Sequence, residues 1–463
     1  MEPEFYRRQT EPFLAGRSWI VAADVLAGTT PTVEQLHSLG CRVFVVAGTP
    51  GTGPTPDPDH AEQFLLGATG ETIMAGIRAF QAAMAAPPAE LCQAIEAWDP
   101  EGNAAVLANF LNANHPVCRR PVVGGAPEGW RALEDKIVAE SLWAEAGIDH
   151  APSAVVSAGD REGIAAAILR LTSSEGTVVV GDNREGWHGG GEYARYLCPN
   201  VDHDETLGFF AEHCDVVRVM PFLPGVPCAI HGLVLDDQVL TFRPVEMIVF
   251  RRPDDQRFFY SALSTMWDPP VNRRREMRAA AGRVGAVLRD MVDYRGAFGM
   301  DGVMTSDGFL PTELNPRFSS GLAMQAATAG DYPLGDINRM LVEGESLDLR
   351  PTALEAAIVD GADRARGARC ISPIRHLDVT DTTELALKWT GEDWETTSDE
   401  DADATLRLGP SALGALVMFT LNDGHSLKPG PPFACKAAKV FALTDALWDT
   451  RIGSLIAGFE TYT

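Results

Sequence analysis

The sequence predicts an α/β protein built from several domains, on three observations. The chain has 463 residues, and at about 100–200 residues per domain this length corresponds to two to four domains. Its 45% hydrophobic and 22% charged residues are an ordinary globular composition that can bury a large core. Short apolar, β-branched runs alternate with stretches of helical spacing from about residue 17 onward, which is the pattern of an α/β protein.

The first unit extends from Arg17 to about Pro127. Residues 18–24 and 41–48 are apolar runs typical of buried parallel strands, and residues 31–40 between them have helical spacing and end on glycine. The glycines within 48–53 lack the order and the following helix of a dinucleotide-binding loop. Residues 48–59 are therefore predicted as a plain loop, followed by helices over 71–86, 89–98 and 106–113.

A second unit begins near Glu134, where residues 135–148 carry a helical apolar stripe. A strand at 176–181 runs directly into a glycine-rich polar loop at 182–193. The other predicted elements are strands at 151–158 and 215–223, a helix at 161–171, a hairpin over 228–250 turning at Asp236–Asp237, a long basic helix at 272–294, and two strands around a turn at 306–308.

Beyond about Arg350 the composition changes, and we expect a small C-terminal domain. The acidic run at 391–404 is predicted as a solvated loop or turn. Two apolar runs, at 412–421 and 439–443, are predicted as strands of this domain.

The charge of the chain excludes some classes of partner. Its 64 acidic and 38 basic residues give a formal net charge of -26. Such a chain repels phosphate backbones and anionic lipid surfaces, so binding to nucleic acid or to a membrane surface is not expected. Phosphate chemistry is still compatible with this charge, because a local site or a metal ion can oppose the global field.

The cysteines and the chain start favour a cytoplasmic protein. Eight cysteines lie far apart, with neither a CxxC pair nor zinc-ligand spacing, as expected of buried thiols in a reducing compartment. The N-terminus has no signal-peptide pattern, and no run of 18 apolar residues occurs. We therefore expect a soluble, cytoplasmic protein.

Lysine is rare in this chain. Only five lysines occur, and Lys136 is the sole lysine among the first 387 residues. Most positions that need only a positive charge have taken arginine, so a compact ammonium group at this position indicates a specific role. The alternative is a solvated helix lysine without a function.

Asp301, Glu313, Asn315 and Arg317 are the strongest candidates for chemistry. They lie close together if the two strands around the 306–308 turn pair as a hairpin, and residues 313, 315 and 317 share one face. Carboxylate and amide oxygens suit Mg²⁺, which takes one or two carboxylates and completes its shell with substrate phosphates. Arg317 could hold a phosphate or carboxylate. The alternative is an exposed hairpin with ordinary polar residues.

The order of these features resembles the ATP-grasp superfamily of carboxylate–amine and carboxylate–thiol ligases. The resemblance rests on Asp135–Lys136 before an AEAGI segment, on the strand with its glycine-rich loop, and on DGV and TELNPR in two later strands. It covers roughly residues 20–345. It implies an α+β grasp domain at 128–350 with a lid subdomain at about 152–222, after a Rossmann-like pre-ATP-grasp domain at 1–127 and before the small C-terminal domain at 351–463.

The resemblance also implies roles for individual residues. Asp301, Glu313 and Asn315 would hold magnesium, with two ions expected, and Arg317 would face the acyl phosphate and stabilise the transition state. The loop at 186–191 would close over the phosphates and keep water out. ATP would be bound by Lys136, Arg184, Gly189, Gly190, Gly191, Met220 and Phe222.

Two positions depart from the family pattern. Gly181 stands at the end of the strand where a second phosphate-binding lysine is usual, and Arg184 is a candidate substitute. Pro227 stands where a ribose-binding glutamate is common. Candidates for the substrate site are Arg243, Arg251, Ser319 and Ser320, with plain solvation as the alternative for the two arginines.

The implied function is an ATP-dependent ligase that activates a small carboxylic acid as an acyl phosphate and joins it to an amine, releasing ADP and phosphate. One alternative is a thiol acceptor on an acyl carrier protein, whose usual acidity is unfavourable beside a chain of charge -26. The other alternative is a non-catalytic nucleotide-binding scaffold. Expected partners are small molecules, and a homodimer is left open.

Overall fold

The computed structural model describes residues 2–108, 115–198, 203–252 and 256–459. Its N-terminal strands form an all-parallel sheet. Its strand order is β3-β2-β1-β4-β5. The elements are α1 Pro3–Leu14, β1 Ser18–Val25, α2 Thr30–Ser38, β2 Arg42–Thr49, β3 Glu62–Leu65, α3 Ile73–Ala85, α4 Ala89–Trp98, β4 Ala105–Ala108 and β5 Val122–Val123.

Helices cover both faces of this sheet, which is why its central strands are apolar throughout. Phe80 of α3 and Ile95 of α4 pack on one face with Val46 of β2. Val33 and Leu36 of α2 pack on the other face. The two predicted strands and the helix between them are confirmed.

The predicted helix at 106–113 is wrong in its first part. Ala105–Ala108 is strand β4, which lies between β1 and β5, and residues 109–113 fall outside the described residues. A strand buried on both faces shows no alternation of apolar and polar residues, so its periodicity cannot be told from that of a buried helix.

The expectation of separate, reduced thiols is also wrong at one pair. Cys92 in α4 and Cys118 form a disulfide. The two cysteines are 26 residues apart in the sequence, and their spacing does not predict the contact. They meet because α4 packs beside the turn at 117–120. Among the described residues, Cys41, Cys214, Cys228 and Cys370 are buried free thiols.

A second, antiparallel sheet has the strand order β6-β9-β7-β8. Helices pack on one of its faces, where Ile164 and Phe210 contact Val179 and Val217. Two short helices precede it, and the elements of this part are α5 Glu128–Arg131, α6 Ala139–Glu145, β6 Ala154–Ser157, α7 Arg161–Leu171, β7 Thr177–Gly181, β8 Ala194–Leu197, α8 Asp204–His213 and β9 Val216–Pro221. The predicted helix over 135–148 thus begins only at Ala139.

The third sheet is large and antiparallel, in the order β15-β14-β10-β12-β13-β16-β20-β19-β17-β18, with β11 beside β10 and β21 beside β12. Strands β14 and β15 pair as the predicted hairpin, and this hairpin forms one edge of the sheet. The elements up to residue 364 are β10 Val226–Val234, β11 Val239–Thr241, β12 Val245–Arg251, β13 Phe258–Ser264, α9 Val271–Val292, β14 Gly296–Met304, β15 Phe309–Asn315, α10 Ser320–Thr328, α11 Leu334–Val342 and α12 Pro351–Arg364.

The C-terminal strands continue this same sheet, since β16 pairs with β13. The remaining elements are β16 Ala368–Ile374, β17 Thr383–Trp389, β18 Trp394–Thr396, β19 Ala404–Ser411, β20 Gly414–Leu421, α13 Ala434–Trp448 and β21 Ile456–Ala457. Strand β20 is confirmed.

Two local predictions in the C-terminal segment are wrong. The run at 439–443 lies inside helix α13, because Ala437, Val440, Phe441 and Thr444 form a buried face at helical spacing. The acidic run contains strand β18, where Trp394 packs against Phe419. Within the described residues, no helix is long and apolar enough to cross a bilayer.

Candidate active site

A cavity of about 300 Å³ lies between the four-stranded sheet and the edge hairpin of the large sheet. Val178 and Val180 of β7 line it from one side, because alternate residues of a strand point to opposite faces. The lining also contains most of the site residues predicted from the sequence, namely Lys136, Gly189, Gly190, Gly191, Asp301, Glu313, Asn315, Arg317, Ser319 and Ser320.

The predicted magnesium ligands meet at the paired strands β14 and β15. Asp301 lies directly opposite Glu313, and Gly299 lies opposite Asn315. The amide of Asn315 donates a hydrogen bond of 3.0 Å to Asp301. Loss of hydration and the neighbouring charge of Glu313 raise the pKa of the Asp301 carboxyl above its usual range. Two acidic groups placed side by side in this way favour a cation between them.

This donor set fits magnesium. It consists of hard oxygen atoms, and Mg²⁺ is usually bound by one or two carboxylates together with substrate phosphates. Within the described residues, no group of three or more His, Cys, Asp or Glu side chains could enclose a metal ion.

Lys136 lies beside this pair of acids. Its Nζ atom is 2.9 Å from Oε1 of Glu313 and donates a longer hydrogen bond of 3.4 Å to the carbonyl of His188. The residue is buried and lines the cavity. The only lysine in the first 387 residues thus lies in the cavity beside the carboxylate of Glu313.

Arg317 is held from two sides. Its Nε atom donates to Glu134 at 2.8 Å, and Nη2 donates to the side-chain oxygen of Asn315 at 2.9 Å. The guanidinium also lies 5.2 Å from the centre of the Trp187 ring in the glycine-rich loop, a cation–π distance. Arg317 therefore connects the edge hairpin to the loop that faces it.

The loop between β7 and β8 closes one side of the cavity. Gly190 and Gly191 have φ angles of 59° and 78°, in the left-handed region where residues with a Cβ are strained. The ring of His188 is hydrogen-bonded to the carbonyl of Asp182 at 2.9 Å, and burial lowers its pKa to about 4. A neutral, buried imidazole therefore anchors the loop.

Helix α3 holds the same loop from the N-terminal side. Arg78 makes a two-pronged ion pair with Glu192, with distances of 2.6 and 3.1 Å. The hydroxyl of Thr72 donates to Glu192 at 2.8 Å, and Arg78 also donates to the carbonyl of Trp187 at 3.2 Å. The N-terminal sheet and the loop are therefore joined at the open end of the cavity.

The apolar end of the cavity is lined by Val178, Val180, Met220 and Phe222. The backbone N–H of Phe222 already donates to Gly176, and its carbonyl accepts from Ser173. Phe222 thus offers a ligand its ring and not its backbone.

Gly181 does not face the cavity. A Cβ atom on Gly181 would lie 2.3 Å from the sulfur of Cys214, which is on the side of β7 away from the cavity. The cavity-facing position at this end of β7 is Val180. Gly181, the position at which the family resemblance implies a second lysine, therefore does not point into the cavity.

The substrate candidates Ser319 and Ser320 lie at the start of α10 and line the polar end of the cavity. Within the described residues, the Ser319 hydroxyl and Nδ1 of His231 are buried polar atoms without a hydrogen-bond partner. Arg251 lines the apolar end instead, with its guanidinium 4.6 Å from the Phe222 ring centre.

Two predicted site residues lie away from the cavity. Arg184 donates to the carbonyls of Glu212 and Cys214 and is 3.5 Å from Asp215. Arg243 is fully buried and pairs with Asp268 and with Asp363, the latter at 2.8 Å. Both arginines are committed to structural ion pairs, because each is surrounded by carboxylates and carbonyls from distant parts of the chain.

Comparison with known proteins identifies the fold. N5-carboxyaminoimidazole ribonucleotide synthetase in its ADP complex is similar over 95% of this chain and 98% of its own, with a TM-score of 0.53 and 13% identity. The biotin carboxylase domain of Hydrogenobacter thermophilus 2-oxoglutarate carboxylase, solved with MgADP and bicarbonate, is similar over 86% and 85%, with a TM-score of 0.54 and 10% identity. The chain has the ATP-grasp fold. No protein-family model and no curated sequence matches it.

Two buried charged residues that contact the predicted site residues escaped the sequence prediction. Arg218 is fully buried in β9 and donates to the carbonyls of Lys136 and Thr312 at 3.2 and 3.1 Å. Glu134 is the buried acid that holds Arg317. Two features of the sequence could have indicated them: an arginine within the apolar run of β9, and an acid two residues before Lys136. Charged residues are buried in such places only when they are paired, so each feature predicts a buried ion pair or hydrogen-bond network.

Proposed function

We propose that this chain is an ATP-dependent ligase that activates a small carboxylic acid as an acyl phosphate and joins it to an amine. The observation that carries the proposal is the meeting of Asp301, Glu313, Asn315, Lys136 and Arg317 at the polar end of one cavity whose other end is apolar. That arrangement matches a nucleotide with an apolar base and a metal-bound triphosphate.

The two ends of the cavity orient ATP. The base fits between Val178, Val180, Met220 and Phe222, which places the phosphates toward Lys136. Asp301, Glu313 and Asn315 would hold magnesium, for which we propose two ions. Bound magnesium would neutralise the charge of the terminal phosphates. The similar structures were solved with ADP or MgADP, which supports nucleotide binding by this fold.

The first step forms the acyl phosphate. The carboxylate substrate binds near Arg317, Ser319 and Ser320, where a charged fork, an unpartnered hydroxyl and the start of α10 favour an anion. A carboxylate oxygen attacks the γ-phosphorus of ATP, and the bond from the γ-phosphorus to the β–γ bridging oxygen breaks. ADP leaves, while Lys136 and Arg317 stabilise the charge that develops.

The second step forms the amide. The amine nitrogen attacks the carbonyl carbon of the acyl phosphate, the C–N bond forms, and the C–O bond to phosphate breaks. Inorganic phosphate leaves, and the proton of the nitrogen passes to solvent. The loop with Trp187 over Arg317 would limit hydrolysis of the intermediate. We place this reaction, with its small-molecule substrates, in the cytoplasm.

The nucleotide product tests the proposal. The purified chain is incubated with Mg·ATP and a panel of carboxylic acids, each with and without a panel of amines. Nucleotides and phosphate are then resolved by chromatography. We expect ADP and phosphate to rise together in a manner that depends on one acid and one amine. A rise of AMP with pyrophosphate would contradict the acyl-phosphate mechanism.

A further inference from the structure

A wide groove of about 1180 Å³ leads away from the proposed active site. It shares Gly189–Gly191, Tyr260, Arg317 and Ser320 with the nucleotide cavity. Its walls come from α3, from the glycine-rich loop, from β13 and β16, and from the segment 450–452 after α13. The N-terminal, central and C-terminal parts of the chain thus meet around one space that ends at Arg317.

The groove has a local charge opposite to that of the whole chain. Two carboxylates, Glu71 and Glu192, belong to its lining among the described residues. Six arginines line it besides Arg317, at positions 78, 195, 252, 257, 375 and 451. In a chain of formal charge -26, such a concentration of arginine creates a local positive field that attracts anions.

Some of these charges are already neutralised and others are not. Arg78 is paired with Glu192, and Arg451 is paired with Asp449 at 2.7 Å. Arg375 is exposed and has no ion pair with a described residue.

Arg252 is the most informative of the groove arginines. Its guanidinium packs 4.9 Å from the centre of the Phe259 ring, and its Nε atom is buried without a hydrogen-bond partner in the described part of the chain. A buried donor without a partner costs free energy. The Nε atom itself is not exposed to the groove, so a ligand oxygen would have to draw the guanidinium toward the groove to pair with it.

We propose that this groove binds the acceptor amine and that the acceptor carries an anionic group, a phosphate or a carboxylate, at the end remote from its nitrogen. The proposal rests on the proposed ligase function. The nitrogen would lie near Arg317 and Ser320, where the acyl phosphate forms, and the anionic group would lie near Arg252 and Arg375. Arginine forms two-pronged hydrogen bonds with either group.

The volume and the walls of the groove fit this assignment. At about 1180 Å³ against about 300 Å³ for the nucleotide cavity, the groove is larger than a simple amine needs. Its far wall is built from β16 and from the segment 450–452, so the C-terminal part of the chain supplies the selectivity for the acceptor.

The test measures binding of three amines that differ only in their terminal group. The full chain, saturated with Mg·ADP, is titrated calorimetrically with 6-aminohexyl phosphate, 6-aminohexanoate and 6-aminohexanol. We expect at least one of the two anionic compounds to bind about tenfold more tightly than the alcohol. The tighter of the two identifies the anionic group.

Variants locate the effect in the groove. Arg252→Gln combined with Arg375→Gln should bring the three affinities to within about twofold of one another, with the affinity for Mg·ADP unchanged. Arg407→Gln removes the same kind of charge from an exposed pair with Glu384, outside the groove lining, and should keep the preference. Arg375→Gln alone, at an exposed position, gives a partial loss and controls for misfolding of the double variant.

Two results would overturn the inference. One is equal affinity of the parent chain for all three compounds. The other is a preference for anions that survives in the folded double variant. Failure of the parent chain to bind Mg·ADP, with the preference for anions intact, would contradict the proposed ligase function and would still support an anion site in the groove.

Discussion

Glu134 holds Arg317 through an ion pair of 2.8 Å, and Glu134 itself is buried while Arg317 faces the cavity. The acid lies in the turn before Lys136, so one short segment positions both cations of the proposed site. In the proposed site, Glu134 would fix the guanidinium of Arg317 at Nε while the rest of the group faces the cavity.

We expect Glu134→Gln to lower kcat for ADP release about 10- to 100-fold with little change in KM for ATP. The amide keeps a hydrogen-bond acceptor but removes the charge that fixes the guanidinium. Steady-state kinetics with coupled ADP detection would measure this. Glu384→Gln, at an exposed ion pair, should match the parent. An equal rise of KM and fall of kcat would contradict a purely positioning role.

Glu313→Gln and Asn315→Ala should each lower ATP turnover at least about 100-fold, because each removes an oxygen ligand or its charge from the proposed metal site. Both side chains line the cavity, so the thermal unfolding midpoint should change little. Turnover measured against magnesium concentration is the readout. Activity equal to the parent at every magnesium concentration would exclude Glu313 and Asn315 as ligands.

Lys136→Ala should raise KM for ATP and lower kcat, and Lys136→Arg should restore only part of the activity, since a planar fork does not replace a compact ammonium. The ion pair with Glu313 adds a second effect, because its loss leaves two neighbouring carboxylates without a counter-charge. Lys439→Ala, at an exposed pair with Asp393, is the matched control. Kinetics of Lys136→Ala identical to that control would contradict a phosphate-binding role.

Local sequence was enough to bring Asp301 and Glu313 together and was not enough to predict the surrounding ion pairs. Asp301 and Glu313 lie on two strands joined by a tight turn, so their pairing follows from residues within one hairpin. Arg184 and Arg243 were misplaced because their partners, such as Cys214 and Asp363, come from distant parts of the chain. The sequence also could not show in which direction a side chain at position 181 would point. In the structure this direction is toward Cys214 and not toward the cavity.

Arg78→Ala should loosen the glycine-rich loop, because it removes the ion pair and the hydrogen bond that join α3 to Glu192 and Trp187. We expect faster ADP release in the absence of acceptor and a lower ratio of amide product to ADP, since water reaches the intermediate more easily. The product ratio, measured by chromatography, is the readout. Arg8→Ala, at an exposed pair with Glu4, should leave the ratio unchanged, and an unchanged ratio in Arg78→Ala would contradict the role of the α3 contact.

His231 provides the pH-dependent prediction. It is buried beside Gly299 and Gly321, and the positive charge of Arg317 acts on its ring. Burial, with a smaller contribution from Arg317, lowers the pKa of this imidazole to about 4, below its ordinary value of about 6.5. The folded protein therefore keeps His231 neutral at pH values where the unfolded chain already protonates it.

The sign of the effect follows from this difference in proton uptake. The stability due to neutral His231 is fully present above about pH 6.5 and is lost as the pH falls toward about 4, by roughly 3 kcal/mol in total. His231→Gln lacks this titration. From pH 7 to pH 4 the free energy of unfolding of the parent should therefore fall by that amount relative to the free energy of unfolding of the variant. His188, whose pKa is also lowered to about 4, is present in both proteins, so its contribution cancels in the comparison. Urea denaturation at several pH values measures the difference, and a difference independent of pH would show that His231 is not held neutral.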